Sequence, residues 1–529
     1  MLQTAISVGV LTLVVASAGD RAPRAGRVIA GPASAQRVAA SALPAFARFG
    51  WVSPPVDSTT PARIAELVGG GLNLLLPAWA DSGEVSDNLN RLDLAAANGA
   101  RCLIWDRRFE QFMTLDVNSP EGGALLDQIV GTYRTHPGFA GYYLGDEPDP
   151  SIFSLLGKLH AALRARDPDH PAYNNLLSSV GVHGWSNWSP YVHAYLDSTG
   201  AQVLSYDEYD FLESGDQGVY VQDLAGAHAM AREYGIPFWV IALVTQHGPY
   251  RALGDGEVRW QGSMALAYAA GGVGWFTYWT PPPDPVWNWQ YGLITWDGAR
   301  THWYDLLAAF DPRLGAAGEV LARLTWLATQ HAGSVPAGGT AFTPSGWIAS
   351  VEGRAALGMF ADSLGGRYVR LASSDSAAAR TIAVTFPGAR GIERLADDGR
   401  SWSALDTTHA AAGVRIALDL PAGDFALLRV LGPGEPLRTG AGPGLRVQPN
   451  PASGQVRFDL AAVHGPARLE ILDAGGRHVW GRDLSPGSSS VTWDGAREGG
   501  GPAPAGLYFA RAEDQGGVTA LRLTWLGAK

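Results

Sequence analysis

The feature that most constrains the fold is an eightfold alternation of short apolar runs with longer segments between Phe46 and about Leu327. The short runs, rich in Leu, Ile, Val, Tyr and Trp, predict buried strands, and the helical period between them is typical of repeated βα units around a parallel sheet. Eight such units close a barrel of about 250 residues. We therefore predict a (β/α)8 TIM barrel with strands at 47–52, 72–79, 101–106, 139–146, 172–177, 202–208, 237–245 and 273–279.

Helical patterns occupy most of the intervening segments. The clear cases are 61–69, 87–98, 122–135, 151–165, 219–234 and 257–270. The fifth unit departs from this pattern, because the segment 178–201 is aromatic and more typical of a loop than of a helix. We assign the barrel to residues 46–328.

The pattern changes after residue 328. The helical period disappears, and short alternating strands separated by Gly, Pro, Asp and Ser follow, as is typical of all-β folds. We predict a β-sandwich over 329–432, a Gly- and Pro-rich linker over 433–444, and a second all-β domain over 445–529. The predicted fold class is thus a TIM barrel followed by two all-β domains.

The N-terminal segment is typical of a secretory signal. Residues 1–18 are apolar and end in Ala16-Ser17-Ala18, which fits the apolar region and the small-residue cleavage site of such a signal. The segment is too short to span a bilayer comfortably, and no later segment offers about 18 uninterrupted apolar residues. Residues 19–45, rich in Ala, Gly, Arg and Pro, predict a linker. We expect a secreted or cell-surface protein with no membrane span.

Charge and cysteine content exclude several function classes. A formal net charge of -11, with no long basic run, disfavours nucleic acid and anionic lipid headgroups as partners. The single cysteine, Cys102, excludes an intramolecular disulfide and a cysteine-based zinc or iron–sulfur site. Neither His183 nor His247 has a partner histidine at metal-ligand spacing, and no Walker loop or Gly-x-Ser-x-Gly elbow occurs. We expect a protein that works without a metal or cofactor.

Polar side chains at the strand ends define the candidate site, because barrel enzymes build it at the C-terminal ends of their strands. These positions are both acidic and aromatic. Carboxylates suit acid/base work on glycosidic bonds, and aromatic faces suit stacking on sugar rings, so we expect a carbohydrate substrate. The residues that we predict to bind it are Trp51, Trp79, Asp106, Asn174, Tyr209, Gln246, Tyr278, Trp279 and Trp289.

Side-chain alternation along the strands selects among the carboxylates. In the fourth strand Glu147 shares a face with two glycines, and that face suits the crowded interior, whereas Asp146 falls on the face with apolar Tyr142. In the sixth strand the smaller face carries Asp207, which is preferred over Glu208. The candidate catalytic residues are therefore Glu147, Asp207 and Glu208.

The spacing of the two preferred carboxylates favours inversion. Two strand steps separate Glu147 from Asp207, which places their backbones roughly 9 to 10 Å apart. Inverting glycosidases hold their carboxyl groups about 6.5 to 9.5 Å apart, and retaining ones about 5 to 5.5 Å apart. Glu147 would protonate the leaving oxygen, and Asp207 would activate water.

Each residue also has a structural alternative. The run Asp146-Glu147-Pro148 could simply begin the next helix, where acidic residues favour the helix dipole. Asp207 could be a structural hydrogen-bonding partner. Trp279 and Trp289 could pack in the core, as aromatic residues beside strand ends often do.

The fourth-strand segment Asp146-Glu147-Pro148 resembles the Asn-Glu-Pro segment of the large retaining clan of barrel glycoside hydrolases, in which the Glu is the acid/base. The segment 292–301 is similar to the stretch after strand eight in several of those families. The clan's nucleophile, however, is a Glu at the end of strand seven, where this chain has Gln246-His247. The resemblance thus implies either a divergent glycoside hydrolase that uses Asp207 or Glu208, or a non-catalytic surface protein whose degenerate barrel binds glycan or acts as a scaffold.

The C-terminal domain carries a second resemblance. The motifs 448–451, 469–473, 493–495 and 504–509 resemble the immunoglobulin-like repeats of flagellar hook-cap proteins and the sorting domains of the type IX secretion system. The first likeness implies a spacer, and the second a bacterial delivery tag that contacts secretion machinery.

Overall fold

The computed structural model describes residues 42–527, apart from 364, 400, 411, 433–443, 462–466, 474–475, 486–487 and 515–516. The predicted signal segment, most of the linker over 19–45 and nearly all of the linker over 433–444 lie outside the described residues. Across the described residues, no helix has both the length and the apolar character needed to cross a membrane.

Eight parallel strands form a closed barrel in chain order, and the last strand pairs with the first through Ala47 and Gly272. The strands are β1 (Ala47–Gly50), β2 (Leu74–Leu75), β3 (Arg101–Ile104), β4 (Phe139–Asp146), β5 (Ala172–Leu176), β6 (Leu204–Glu208), β7 (Phe238–Leu243) and β8 (Gly272–Phe276). The predicted TIM barrel is confirmed.

The helices follow their strands along the chain. They are α1 (Pro61–Gly69), α2 (Val85–Ala97), α3 (Pro120–Tyr133), α4 (Phe153–Arg166), α5 (Trp185–Thr199), α6 (Tyr220–Tyr234), α7 (Asp255–Ala267) and α8 (His302–Leu321). Short 3-10 helices lie at Val56–Ser58, Arg107–Met113 and Pro150–Ile152.

The prediction of a loop in the fifth unit is wrong, because α5 occupies its second half. The helix buries its face with aromatic side chains, Trp188, Tyr191 and Tyr195, which stand at helical spacing. Its C-terminal end is capped by Gly200 in the left-handed conformation. An aromatic buried face with a proline inside the helix disguised the helical period.

Aromatic side chains fill the barrel interior below the mouth. The Phe49 and Trp239 rings lie 5.5 Å apart, and Trp239 lies 5.7 Å from Tyr173. Tyr173 in turn lies 5.8 Å from Tyr143, whose ring is 6.1 Å from Trp51. This run of rings crosses the barrel and forms the floor on which the polar groups of the mouth lie.

Antiparallel sheets form the rest of the described chain. The first all-β part contains β9 (Thr325–Ala332), β10 (Ser350–Glu352), β11 (Ala355–Ala361), β12 (Arg367–Ser373), β13 (Arg380–Phe386), β14 (Gly391–Leu395), β15 (Trp402–Ala404), β16 (Thr408–Ala410), β17 (Gly413–Leu420) and β18 (Phe425–Leu431). They form a four-stranded and a six-stranded sheet around one apolar core.

The second all-β part contains β19 (Gly444–Gln448), β20 (Val456–Ala461), β21 (Ala467–Asp473), β22 (His478–Leu484), β23 (Ser490–Trp493), β24 (Gly506–Asp514) and β25 (Gly517–Trp525). A three-stranded and a four-stranded sheet enclose a core that contains Trp493 and Trp525. The predicted all-β C-terminal part is confirmed.

The chain divides into two compact units. The first contains the barrel strands, and it comprises the chain up to Leu253 together with Ala270–Asp311 and Pro336–Gly338. The second comprises Gly254–Ala269, Pro312–Val335 and Gly339–Lys529. All residues of the site described below belong to the first unit.

Candidate active site

The end of strand β4 places Asp146 in the barrel mouth. The pairing of β4 with β5 shifts between Tyr143 and Gly145, so the strand bulges and its side-chain alternation is interrupted. Gly145, at φ +135°, takes a conformation that suits glycine. The sequence prediction that Asp146 faces the helix layer is therefore wrong, because an unbroken alternation was assumed across the bulge.

The Asn175 side chain, at the end of β5, joins two carboxyl groups. Its Nδ2 donates to Asp146 Oδ1 at 3.2 Å and to Asp207 Oδ1 at 2.8 Å. The two carboxyl oxygens therefore lie within about 6 Å of each other, since both bond the same nitrogen. Asn175 Oδ1 accepts from Ser205 Oγ at 3.0 Å, and Tyr173 lies 2.8 Å from that hydroxyl. This chain of bonds fixes the orientation of the amide.

Glu147 follows directly after β4 and lies beside the same pair. Its backbone N–H donates to Asn175 O at 2.8 Å, and its φ of +44° is rare for a residue with a side chain. Among the described residues, no side chain donates a hydrogen bond to its half-buried carboxyl group. A strained backbone that holds a carboxyl group at the C-terminal end of a barrel strand is typical of a functional position.

The carboxyl groups of Asp146, Glu147 and Asp207 have different pKa values because their surroundings differ. Burial, and then the charge of Asp207, raise the pKa of Glu147 to about 9, and the same two causes raise the pKa of Asp146 to about 8. Burial raises the pKa of Asp207 only to about 6, because the hydrogen bond from Asn175 favours its ionised form. Near neutral pH the site thus holds two protonated carboxyl groups and one carboxylate.

Glu208, the third catalytic candidate, lies on the opposite face of β6 from Asp207. Its side chain is 1% exposed and lies against Asp223 of α6. Burial and that neighbouring carboxyl group raise its pKa well above the usual range. The structure therefore brings Asp207 together with Glu147 and leaves Glu208 in the helix layer, as the alternation along this unbulged strand predicts.

Aromatic side chains line one side of the mouth. The His247 ring stacks on Trp289 at 4.6 Å, and it lies 5.0 Å from Phe276 and 4.9 Å from Tyr250. The Tyr209 ring lies 5.3 Å from both Phe276 and Tyr250. Tyr209 is also close to the carboxyl groups, whose charges raise its pKa further after burial has raised it. We call Tyr209, His247, Tyr250, Phe276 and Trp289 the aromatic wall.

Trp79 extends this wall from the β2 end. Its half-buried ring meets Trp289 edge to face at 6.1 Å. The loop that carries Trp79 is held by Asp81, which accepts hydrogen bonds from the backbone of Ala78 at 2.9 Å and forms a buried ion pair with Arg91 at 2.6 Å. The predicted Trp79 and Trp289 are thus brought together in the same wall.

Two predicted binding residues lie away from the carboxyl groups. Asp106 is fully buried, where it caps the 3-10 helix after β3 and accepts from Tyr133 OH at 2.7 Å. Asn174 faces the helix layer, where its Oδ1 lies 3.1 Å from His160 Nε2 and accepts from Tyr195 OH at 3.2 Å. In each case the side chain is already occupied by structural bonds.

The predicted residues after β8 are packed in the protein. Tyr278 is fully buried, and a Cβ added at Gly50 would collide with its side chain. Trp279 is 4% exposed, and the Arg63 guanidinium lies over its ring at 5.1 Å. Neither ring therefore presents an open face for a sugar.

The remaining two predicted residues border the site. Trp51 is buried against Tyr143 in the barrel floor, and Gln246 is half-buried at the β7 end, where its carbonyl accepts from Gln290 N at 2.9 Å. Both residues follow barrel strands, and no hydrogen bond joins either side chain to a carboxyl group of the described cluster.

The predicted site residues did not include Asp146, Asn175, His247 or Tyr250. The glycines of β4 were a usable signal of a bulge, since glycine inside a strand often marks one. The choice between Asn174 and Asn175 could not be made, because the sequence offers two adjacent asparagines and no register. Within the described part of the chain, no group of three or more His, Cys, Asp or Glu side chains is arranged to hold a metal ion.

No protein-family profile matches the sequence, and a search of the curated proteins found no match. Solved structures do share the fold. One of them, a glycoside hydrolase, is 12% identical, with a TM-score of 0.46 over 74% of this chain and 93% of the other. A glycoside hydrolase family 5 protein from Bacteroides vulgatus ATCC 8482 is 12% identical, with a TM-score of 0.47 over 74% and 91%. A γ-CGTase from alkalophilic Bacillus clarkii is 11% identical, with a TM-score of 0.40 over 89% and 76%. At these values the likeness is one of fold alone.

Proposed function

We propose that this protein is a glycoside hydrolase that cleaves a poly- or oligosaccharide by carboxyl acid/base catalysis. The observation that supports this most directly is the cluster of Asp146, Glu147 and Asp207 beside the aromatic wall, with pKa values spread from about 6 to about 9. Environments that separate the pKa values of neighbouring carboxyl groups assign one as acid and another as base.

In the proposed reaction, Glu147 gives its proton to the glycosidic oxygen as the bond from that oxygen to the anomeric carbon breaks. Asp207, which is ionised near neutral pH, takes a proton from the water that attacks the anomeric carbon. The neutral Asp146 carboxyl group can donate a hydrogen bond to a sugar hydroxyl. Asn175 holds Asp207 in the ionised state, because its amide donates to the carboxylate.

This assignment predicts a bell-shaped pH–rate profile. The rate falls below about pH 6 as Asp207 becomes protonated, and it falls above about pH 9 as Glu147 loses its proton. The test measures the release of reducing ends from a broad glycan panel. Glu147→Gln should reduce turnover about 10²- to 10⁴-fold at unchanged fold, and wild-type turnover in that variant would contradict the proposal.

We separately propose that the reaction inverts the configuration at the anomeric carbon. Proton NMR of the first product formed reports it directly. An initial product of retained configuration would instead assign Asp207 or Asp146 as the nucleophile.

One observation favours a second candidate function, a glycan-binding protein without turnover. The β7 end, where the resembling clan keeps a Glu, carries the uncharged His247 here. Affinity electrophoresis in glycan-containing gels separates the two functions. Retarded migration without any release of reducing ends would support binding alone.

We also propose that the protein acts outside the cytoplasm. The apolar residues 1–18 support this, as does the resemblance of the last domain to secretion sorting domains. Fractionation of producing cells, with N-terminal sequencing of the exported chain, tests the location and the cleavage site. A chain found only in the cytoplasm with an intact start would contradict it.

A further inference from the structure

Among the described residues, no positively charged group acts on the carboxyl cluster. The groups that influence Glu147 and Asp146 are carboxyl groups, an amide and backbone N–H groups, and no cation of the described residues contributes. In the described part of the chain, the hydrogen-bond partners of the Asp207 carboxyl group are likewise Asn175 and its own backbone. Apart from burial, the groups of the described residues that raise the pKa of Tyr250 are the carboxyl groups of Asp207, Glu208 and Glu147.

The arginines that follow the nearby strand ends are engaged elsewhere. Arg107 is paired with Glu84. Arg108 bonds Asp106 at 2.6 Å, and Arg251 bonds Asp216 at 2.9 Å. The sequence has only two lysines, Lys158, which lies on α4, and Lys529, which lies outside the described residues. The described residues thus offer no free cation at this mouth.

The histidine in the aromatic wall does not supply a charge either. Burial lowers the pKa of His247 to about 4, so the ring is neutral at ordinary pH. Its Nδ1 lies 2.7 Å from the Thr245 carbonyl oxygen, to which it donates in that neutral form. The other ring nitrogen is then a hydrogen-bond acceptor, which suits a sugar hydroxyl and not a carboxylate.

We propose that the sugar unit bound against Asp146, Glu147 and Asp207 is neutral, and that uronic acids and other anionic sugars are excluded there. This inference rests on the proposed function and names its substrate class. An anionic sugar would bring a second negative charge beside Asp207 without a cation to offset it. The aromatic wall and the hydroxyl-accepting His247 instead suit the apolar faces and hydroxyl groups of an uncharged ring.

The test uses matched polysaccharides that differ only in charge. Polygalacturonate and other polyuronates are each compared with their carboxyl-reduced forms, alongside neutral glucans, xylans and galactans. On any backbone that the full-length protein cleaves, kcat/KM for the polyuronate should be about 100-fold or more below that for its reduced form, because like charges then meet in a low-dielectric site. Equal or faster cleavage of a polyuronate would overturn the inference.

Binding distinguishes failure of this inference from failure of the proposed reaction. Affinity electrophoresis of the Glu147→Gln protein should show retardation by neutral polysaccharides and none by polyuronates. If the wild-type protein binds neutral chains but cleaves none, hydrolysis is refuted while the substrate class stands. Preferential binding of polyuronates, or binding to no polysaccharide of either kind, would overturn the substrate class.

A charge-introducing variant gives a second check. Tyr250 lies close enough to Asp207 and Glu147 for their carboxyl groups to affect its pKa, and its side chain is half-buried. For each pair of polysaccharides, the preference is the kcat/KM or affinity for the neutral form divided by that for the polyuronate. Tyr250→Arg should lower this preference at least tenfold, whereas the uncharged control Tyr250→Leu should leave it unchanged. An unchanged preference in a folded Tyr250→Arg protein would contradict the inference.

Discussion

Replacing Glu147 with glutamine should stabilise the barrel at neutral and alkaline pH. In the folded protein, burial and two neighbouring carboxyl groups raise the pKa of Glu147 to about 9, whereas an unfolded glutamate ionises near 4.3. Between these values the unfolded chain binds fewer protons than the folded one, so the free energy of unfolding falls as the pH rises. The contribution is fully present below the unfolded pKa and is lost as the pH approaches the folded pKa.

The size of the effect follows from that proton difference. One proton corresponds to about 1.4 kcal/mol per pH unit, so wild type loses on the order of 3 to 4 kcal/mol between about pH 5 and pH 8 through this group. Glutamine has the shape of the protonated side chain and carries no titrating proton. The variant should therefore match wild type near pH 4 and exceed it by roughly 6 °C or more in the melting temperature of the barrel at pH 8.

The assay is calorimetry over a pH series, followed at the transition assigned to the barrel. Glu233→Gln, which changes an exposed carboxylate near the end of α6, is the matched control and should track wild type at every pH. The reasoning is refuted if Glu147→Gln is no more stable than wild type at pH 8, or if the two differ by the same amount at all pH values.

Four further substitutions test the site. Asp207→Asn should lower the pKa of Glu147, because it removes the charged group that raises that pKa most, and carbon NMR of the carboxyl group measures the change. Turnover should also fall about 10²-fold or more. An unchanged pKa of Glu147 would show that the two carboxyl groups do not interact. Glu208→Gln should keep turnover within about threefold of wild type, because this side chain faces the helix layer. A loss of turnover as large as that of Glu147→Gln would assign Glu208 a role in the reaction. Trp79→Ala should raise KM about tenfold with little change in stability. Trp279→Ala, which removes a buried ring, should lower the free energy of unfolding by about 3 to 5 kcal/mol. The opposite pattern would assign substrate binding to Trp279 and a structural role to Trp79.

The sequence by itself determined the architecture. Eight apolar runs separated by helical segments predict a closed parallel barrel because burial repeats locally along the chain, with period two in strands and 3.6 in helices. The same local reading placed Glu147, Asp207 and Trp79 at strand ends, where a barrel collects its polar side chains. It failed at α5, whose buried face is built of Trp188, Tyr191 and Tyr195.

The sequence predicted only in part on which face of its strand each side chain lies. Alternation separated Asp207 from Glu208 on β6, a strand whose pairing with β7 runs without a shift. It misplaced Asp146, because the bulge in β4 depends on how that strand pairs with β5. The local sequence determines on which face of the sheet a side chain lies only where the pairing of the strands is regular.

The chemistry of the carboxyl groups was decided by the tertiary structure. Asn175 bonds Asp146 and Asp207, which lie 29 and 32 residues from it along the chain. Burial and mutual repulsion then set which groups are protonated, and both depend on distances that no local pattern contains. The sequence placed the acidic and aromatic residues at one mouth, and folding determined which of them carry a proton there.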